Sequence, residues 1–361
     1  MATPDEHGAK ALFDKFGTYI LPGRVSDPRR GIDEAQEAER IGLGRVWISE
    51  RYAVKEPAVM SGAVSEATSK IRICGTYYAT MRHPIVTASV ANLMQAMSRD
   101  RSSIMFARAV PAYLAMLGSP PITFPRLADY ISIMRRLWAG ETVKYEGILG
   151  NFPSLTLTDR YQGPPPPIIF TAMGPKALAF GGTHCDGVLL HPFFSPAGVA
   201  ASTKIVRDAA EQAGRDPMSV RIHHNIIVAP DLPKDEEDAV VRGRAVTYFE
   251  LPTFGELIVD INGWDRTVLD KLRAHPMIAK LNGKPADQAY TRQELVEVSR
   301  ILPDHWMREG AAMGTAAACA DQLMAYLDAG ADEILLHGAS PFDMGPLTTE
   351  LKRALALRAG A

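Results

Sequence analysis

Short apolar or β-branched runs recur along this chain at the spacing of one strand plus one helix. The first four are Thr18-Tyr19-Ile20-Leu21, Arg45-Val46-Trp47-Ile48-Ser49, Ile71-Arg72-Ile73-Cys74-Gly75-Thr76 and Ser103-Ile104-Met105-Phe106-Ala107. They centre at residues 19, 46, 73 and 104, so the gaps are 27, 27 and 31 residues, and one strand–helix–strand unit takes about 30. Four more follow after a break: Pro167-Ile168-Ile169-Phe170-Thr171, Gly187-Val188-Leu189-Leu190, Arg221 to Val228, and Glu333-Ile334-Leu335-Leu336-His337. Runs apolar on both faces belong in a parallel sheet covered on both sides.

The stretches between them predict helices. Gly31 to Ile41 sets Ile32, Ala35, Ala38 and Ile41 at helical spacing. Pro84 opens a helix over Ile85 to Met97 from its first turn, where a missing N–H costs nothing. Phe124 to Trp138, Pro175 to Gly181, Pro196 to Ala213 and Thr315 to Ala329 read the same way. No early strand is followed by G-x-G-x-x-G, so an open dinucleotide-binding sheet is disfavoured. Eight strands, each with its helix, predict a (β/α)8 TIM barrel forming one domain over residues 1–361.

Two intervals are too long for a bare unit. Residues 139–166 contain Thr142 to Gly147 and Leu155 to Leu157, then four prolines ending at Pro167. They predict a hairpin insertion after strand 4, returned by an extended spacer. Residues 230–312, after strand 7, begin polar and helical and then turn aromatic, with Tyr248, Phe249, Phe254, Trp264 and Trp306. Such an excursion is either a binding segment or a helical cover on the barrel wall.

Composition removes several classes. Lys+Arg 39 against Asp+Glu 41 leaves a net charge of −2, so no long-range field favours nucleic acid or an anionic membrane. No apolar run reaches the ~18 residues of a spanning helix. The three cysteines, Cys74, Cys185 and Cys319, form no CxxC and no zinc spacing, and His223-His224 has no carboxylate at ligand spacing; no metal site is expected. The N-terminal stretch MATPDEHGAKALFDKFG lacks a basic-then-apolar signal pattern. A cytoplasmic enzyme with buried thiols is the expectation.

In such a barrel the active groups sit at the C-terminal ends of the strands. Those ends read Glu50-Arg51-Tyr52, Thr76-Tyr77-Tyr78, Ala107-Arg108-Ala109, Met173-Gly174-Pro175-Lys176, His191-Pro192 and His337-Gly338. The tyrosines offer stacking faces and phenolic donors. Arg108 offers a fork of donors suited to phosphate, or else a structural ion pair. A helix opening at Gly174-Pro175 adds a positive dipole end. The rim therefore suits a ligand that is aromatic and anionic at once.

These residues carry a family likeness. Glu37 to Glu50, Thr68 to Thr76 with Arg82-His83-Pro84, Leu137 to Glu141 with Tyr145-Glu146-Gly147, Pro167 to Leu178, Asp186-Gly187-Val188, Gly314-Thr315 and Ala329 to Glu333 together resemble the bacterial-luciferase-like flavin-dependent oxidoreductases, including their deazaflavin (coenzyme F420) branch. The resemblance implies a cis peptide backing the flavin ring, here between Tyr77 and Tyr78. It implies cofactor contacts from Tyr77, Tyr78, Arg108, Gly174, Pro175 and Lys176, and a homodimer through the helices after strands 2 and 3.

The chain also departs from that pattern. The family places His after the strand-2 acid, where this chain has Arg51, which cannot release a proton near neutral pH. Acid–base work then falls to Glu50, Tyr77, Tyr78 or His191, with Glu50 and His191 ranked first. A glycine-rich strand-4 segment is replaced by Met105, Ala107 and Ala109, which removes close backbone approach to a cofactor. Three readings follow. The first is coenzyme F420-dependent hydride transfer with a small organic substrate. The second is an FMN-dependent luciferase-like monooxygenase, and the third a non-catalytic, degenerate flavin-binding relative.

Overall fold

In the computed structural model the structure describes residues 3–22, 25–50, 55–108 and 111–359. The strands are β1 (Phe16–Tyr19), β2 (Arg45–Ile48), β3 (Arg72–Tyr77), β4 (Ser102–Phe106), β5 (Val143–Gly147), β6 (Gly150–Leu155), β7 (Ile168–Ala172), β8 (Gly187–Leu190), β9 (Arg221–Pro230), β10 (Ala311–Gly314) and β11 (Glu333–Gly338). Eight of them pair in parallel in the order β1-β2-β3-β4-β7-β8-β9-β11, and β11 returns to β1. The sheet closes on itself. Helices cover its outside, which makes the chain a (β/α)8 TIM barrel.

The predicted helices form, most with shifts of a residue or so, for example Arg30–Ile41 and Pro84–Met97, while the one predicted over Pro175 to Gly181 runs on to His184. The first strand differs more. It occupies Phe16–Tyr19 and not Thr18 to Leu21, because Leu21 turns left-handed at φ 53° and cannot continue a strand. The hairpin of the first insertion is β5 with β6, whose second strand begins at Gly150, earlier than the sequence suggested. β10 was not anticipated: a short strand at the end of the second insertion, paired with the upper half of β9 from Ile227 to Pro230.

Side chains alternate along the strands and so divide the core in two. The outer layer packs strands against helices. The lumen holds one apolar residue from each of seven strands: Tyr19, Trp47, Cys74, Met105, Ile169, Leu189 and Leu335. Below this plug, at the N-terminal end of the barrel, Glu333 is bound by Arg45, whose guanidinium also donates to Ser103 Oγ at 2.9 Å. His223 Nδ1 stands 3.5 Å from the same carboxylate. Burial alone would raise the Glu333 carboxyl, but Arg45, His223 and Arg72 outweigh it and hold it well below the usual range. Charged groups thus occupy the base of the lumen, below the apolar plug.

The second insertion is a helical subassembly with its own aromatic core. Trp264 stacks on Trp306 with ring centroids 4.8 Å apart, and Phe249 packs against both. Among the described residues, no helix is long and apolar enough to cross a membrane, and no group of three or more His, Cys, Asp or Glu is placed to hold a metal ion. Cys74, Cys185 and Cys319 are buried free thiols.

Candidate active site

The C-terminal mouth is a cup. Its floor is the apolar plug, and the next inward position on several strands is polar: Thr76 two residues beyond Cys74, Thr171 beyond Ile169, His191 beyond Leu189 and His337 beyond Leu335. β9 adds Asn225, in register with Leu335. Thr76 Oγ1 and Asn225 Oδ1 are buried with no hydrogen-bond partner among the described residues. Buried oxygens in that condition are costly unless a ligand or water completes them.

Glu50 lies at the end of β2 with both oxygens engaged. Oε2 accepts the Tyr78 N–H at 2.7 Å, and Oε1 accepts Arg82 Nη2 at 2.6 Å. Arg82 reaches on to Glu56 at 2.5 Å and lies over the Tyr77 ring, 5.0 Å from its centroid. Tyr77 itself points outward, as alternation after the inward Thr76 requires, and is buried in the outer layer. Burial raises its phenol above the usual value. The Tyr77–Tyr78 bond is trans, as is every described peptide bond, which corrects the expectation of a cis link. The Tyr77 carbonyl still accepts the Ala107 N–H at 3.4 Å, while the Tyr78 N–H meets Glu50. Extended trans backbone satisfies both partners.

His191 closes another side of the cup. It is buried, with Tyr248 and Phe254 of the second insertion edge-on to its ring at 4.9 and 5.5 Å. Its Nδ1 lies 3.3 Å from the Pro192 carbonyl. A carbonyl only accepts, so Nδ1 carries the hydrogen and Nε2 presents a lone pair. Burial pushes the imidazole down to about 4, which keeps it neutral at pH 7.

The ends of β4 and β7 form a cationic corner. Arg108 is exposed, donates from Nε to the Ile122 carbonyl at 3.1 Å and lies 4.5 Å over Phe124. Phe124 stacks on Phe180 in the middle of the helix Pro175–His184, and β4 pairs with β7, so Arg108 and Gly174 follow the ends of neighbouring strands. Gly174 caps the helix through its carbonyl, which accepts from the Ala177 and Leu178 N–H groups. The Lys176 N–H and its exposed side chain face outward from the first turn. This corner suits a phosphate.

A flavin-type group fits these residues: an apolar floor, unpartnered oxygens beside it and cationic groups at the ends of β4 and β7. Met105 occupies the floor and Ala107 lies just past the end of β4, while Arg51 and Ala109 lie outside the described residues. The structure thus places Glu50, Tyr78, Arg108, Gly174 to Lys176 and His191 at the C-terminal ends of the strands, with Tyr77 and Arg108 packed toward the helical layer. Sequence reading placed Thr76 at a strand end without giving it a role, and missed Asn225, which strand alternation could have flagged.

Residues 9–333 match the family model described as luciferase-like monooxygenase. The chain is 26% identical over 255 residues to 5,10-methylenetetrahydromethanopterin reductase of Methanolobus tindarius, covering 69% of this chain and 75% of that one. It is 25% identical over 337 residues to the phthiodiolone/phenolphthiodiolone dimycocerosates ketoreductase of Mycobacterium tuberculosis, with 89% and 84% covered. Among solved structures it superposes on the coenzyme F420-dependent tetrahydromethanopterin reductase of Methanopyrus kandleri with a TM-score of 0.75 at 17% identity, covering 94% and 97% of the two chains.

Proposed function

This chain belongs to the luciferase-like monooxygenase family, and from that premise we propose that it is a coenzyme F420-dependent oxidoreductase passing a hydride to or from a small organic substrate. The observation that supports the reading is the two unpartnered oxygens, Thr76 Oγ1 and Asn225 Oδ1, buried beside the apolar plug, in register with Met105 and Leu335. The two similar reductases and the F420-dependent fold relative favour hydride transfer over oxygen insertion.

Coenzyme F420, when bound, supplies the two-electron hydride chemistry. Arg108 and the first turn at Gly174, Pro175 and Lys176 would hold its phosphate, and Tyr78, Thr76 and Asn225 its ring. His191, neutral with an accepting Nε2, holds or takes the proton of a substrate hydroxyl. Glu50 fixes the Tyr78 backbone and Arg82 and acts by positioning. Tyr248 and Phe254 keep water from the imidazole.

We further propose a homodimer. Val86, Leu93 and Met97 on the helix Pro84–Met97, with Val59 on Pro57–Ala67, leave an exposed apolar face. The three buried thiols suit a reducing compartment, and we place the protein in the cytoplasm.

A fluorescence titration tests the reading. Coenzyme F420 is expected to bind with a Kd in the micromolar range, roughly as enzymes bind their reactants, and FMN not to bind. FMN binding alone would transfer the chain to the monooxygenase branch. Binding of neither would leave a degenerate relative.

A further inference from the structure

One helix of the second insertion, Phe254–Asn262, lies against the rim where β7 and β8 end. It meets that rim at three points. A Cβ on Gly174, two residues past β7, would stand 3.1 Å from Leu257 Cδ2, so the leucine packs on that glycine. The Phe254 ring meets His191, the residue after β8, edge-on at 5.5 Å. At the last position the Asn262 amide donates to the Phe193 carbonyl at 2.7 Å and accepts the Ser195 N–H at 2.8 Å.

The turn that leads into this helix is strained. Thr253, immediately before Phe254, has φ 71° and ψ −42°. A β-branched residue at positive φ is a steric outlier, and it persists only where its surroundings over-determine it. Arg273, on the neighbouring helix Thr267–Ala274, supplies the restraint. Its Nε donates to the Glu250 carbonyl at 3.1 Å and its Nη2 to the Leu251 carbonyl at 3.2 Å. The same guanidinium makes a two-point contact with the Glu256 carboxylate. One side chain thus ties both limbs of the turn, before Thr253 and after it. Gly255 leaves the room, since a Cβ there would stand 2.4 Å from the Phe249 carbonyl oxygen and 3.2 Å from Arg273 Nη2.

The Arg273 charge is met by Glu256, so the clamp calls for no ligand. What it delivers is the placing of Phe254. A turn with no preference of its own for this shape moves away once the tie is cut, and the phenyl ring goes with it. We infer that Arg273 is a positioning residue for His191: by holding the Thr253 turn it sets Phe254 against the imidazole and shields that ring from water on the side of the insertion. The inference rests on reading His191 as the group that handles the substrate's proton, and it adds the residue that controls its surroundings.

Diethyl pyrocarbonate, which acylates accessible neutral imidazole, tests this on the full chain, with each histidine read by peptide mass spectrometry. In Arg273→Met the labelling rate of His191 is expected to rise at least about fivefold, the shift that release of one strained residue permits. Phe254→Ala should match it. The exposed His305 should label alike in all variants, and the buried His224 should stay protected, which separates local release from unfolding. Glycine takes positive φ without strain, so adding Thr253→Gly to Arg273→Met should return His191 towards the parent's rate. Unchanged His191 labelling in Arg273→Met overturns the inference, and so does a double variant as reactive as the single one. If Arg273→Met exposes His224 as well, Glu256→Gln, which frees one limb of the turn, decides by the same comparison. Labelling needs no coenzyme, so failure of the hydride reading shows in the coenzyme titration alone.

Discussion

Arg45 and Glu333 form a buried two-point contact at the base of the barrel, Nε to Oε1 at 2.7 Å and Nη2 to Oε2 at 3.3 Å. The residues come from β2 and β11, either side of β1, so the pair bridges across that strand inside the lumen. Removing one partner leaves the other charge buried. Glu333→Gln is therefore expected to lower the unfolding free energy by about 3–5 kcal/mol. Urea denaturation followed by tryptophan fluorescence measures it, and Arg45→Met with Glu333→Gln should recover part of the loss. A single variant as stable as the parent would mean that the pair contributes little.

Acid should destabilise the fold well before its carboxylates are all protonated. Burial holds His191 down to about 4, and His223 and His224 down to about 3. Each folded value lies below the unfolded one of about 6.5, so the unfolded chain binds more protons between those limits. Stability is then full above pH 6.5 and falls as pH drops towards the folded values, by about 1.4 kcal/mol per histidine per pH unit at most. A melting temperature that stays flat from pH 7 to pH 5 would contradict this.

His191→Asn should reduce kcat roughly 100-fold, the size of a lost proton partner, and leave the coenzyme Kd unchanged. The parent's rate should also fall as pH approaches the imidazole's value, a limb the variant lacks. Steady-state kinetics across pH reads both effects. A purely packing role predicts lost stability with the pH profile retained.

Leu93→Glu places a charge in the middle of the exposed stripe on Pro84–Met97. Sedimentation velocity should show the parent as a dimer and the variant as a monomer with an unchanged circular dichroism spectrum. A parent that sediments as a monomer would remove the dimer proposal.

Much of the scaffold was legible because parallel strands buried on both faces leave an unmistakable pattern of apolar runs, and Ile168 to Ala172 or Gly187 to Leu190 could hardly fold otherwise. The rim was legible only as far as strand ends locate it. Glu50, His191 and Arg108 fall there, but Tyr77 shows how alternation overrides adjacency: one step beyond Thr76 sends its ring to the outer layer. Arg273 could not be read at all. Its place depends on the turn at Thr253 and on the space beside Gly255, and tertiary crowding of that kind leaves no periodicity in the sequence.

The short strand Ala311–Gly314 bears on how such proteins diversify. It takes over, against Ile227 to Pro230, the edge that β8 relinquishes after His224. The long detour therefore ends by supplying a plank of the cylinder's own upper wall. Trimming the detour to a tight loop would open a seam beside the chemistry, so swapping specificities between cousins requires transplanting the returning strand along with the helices.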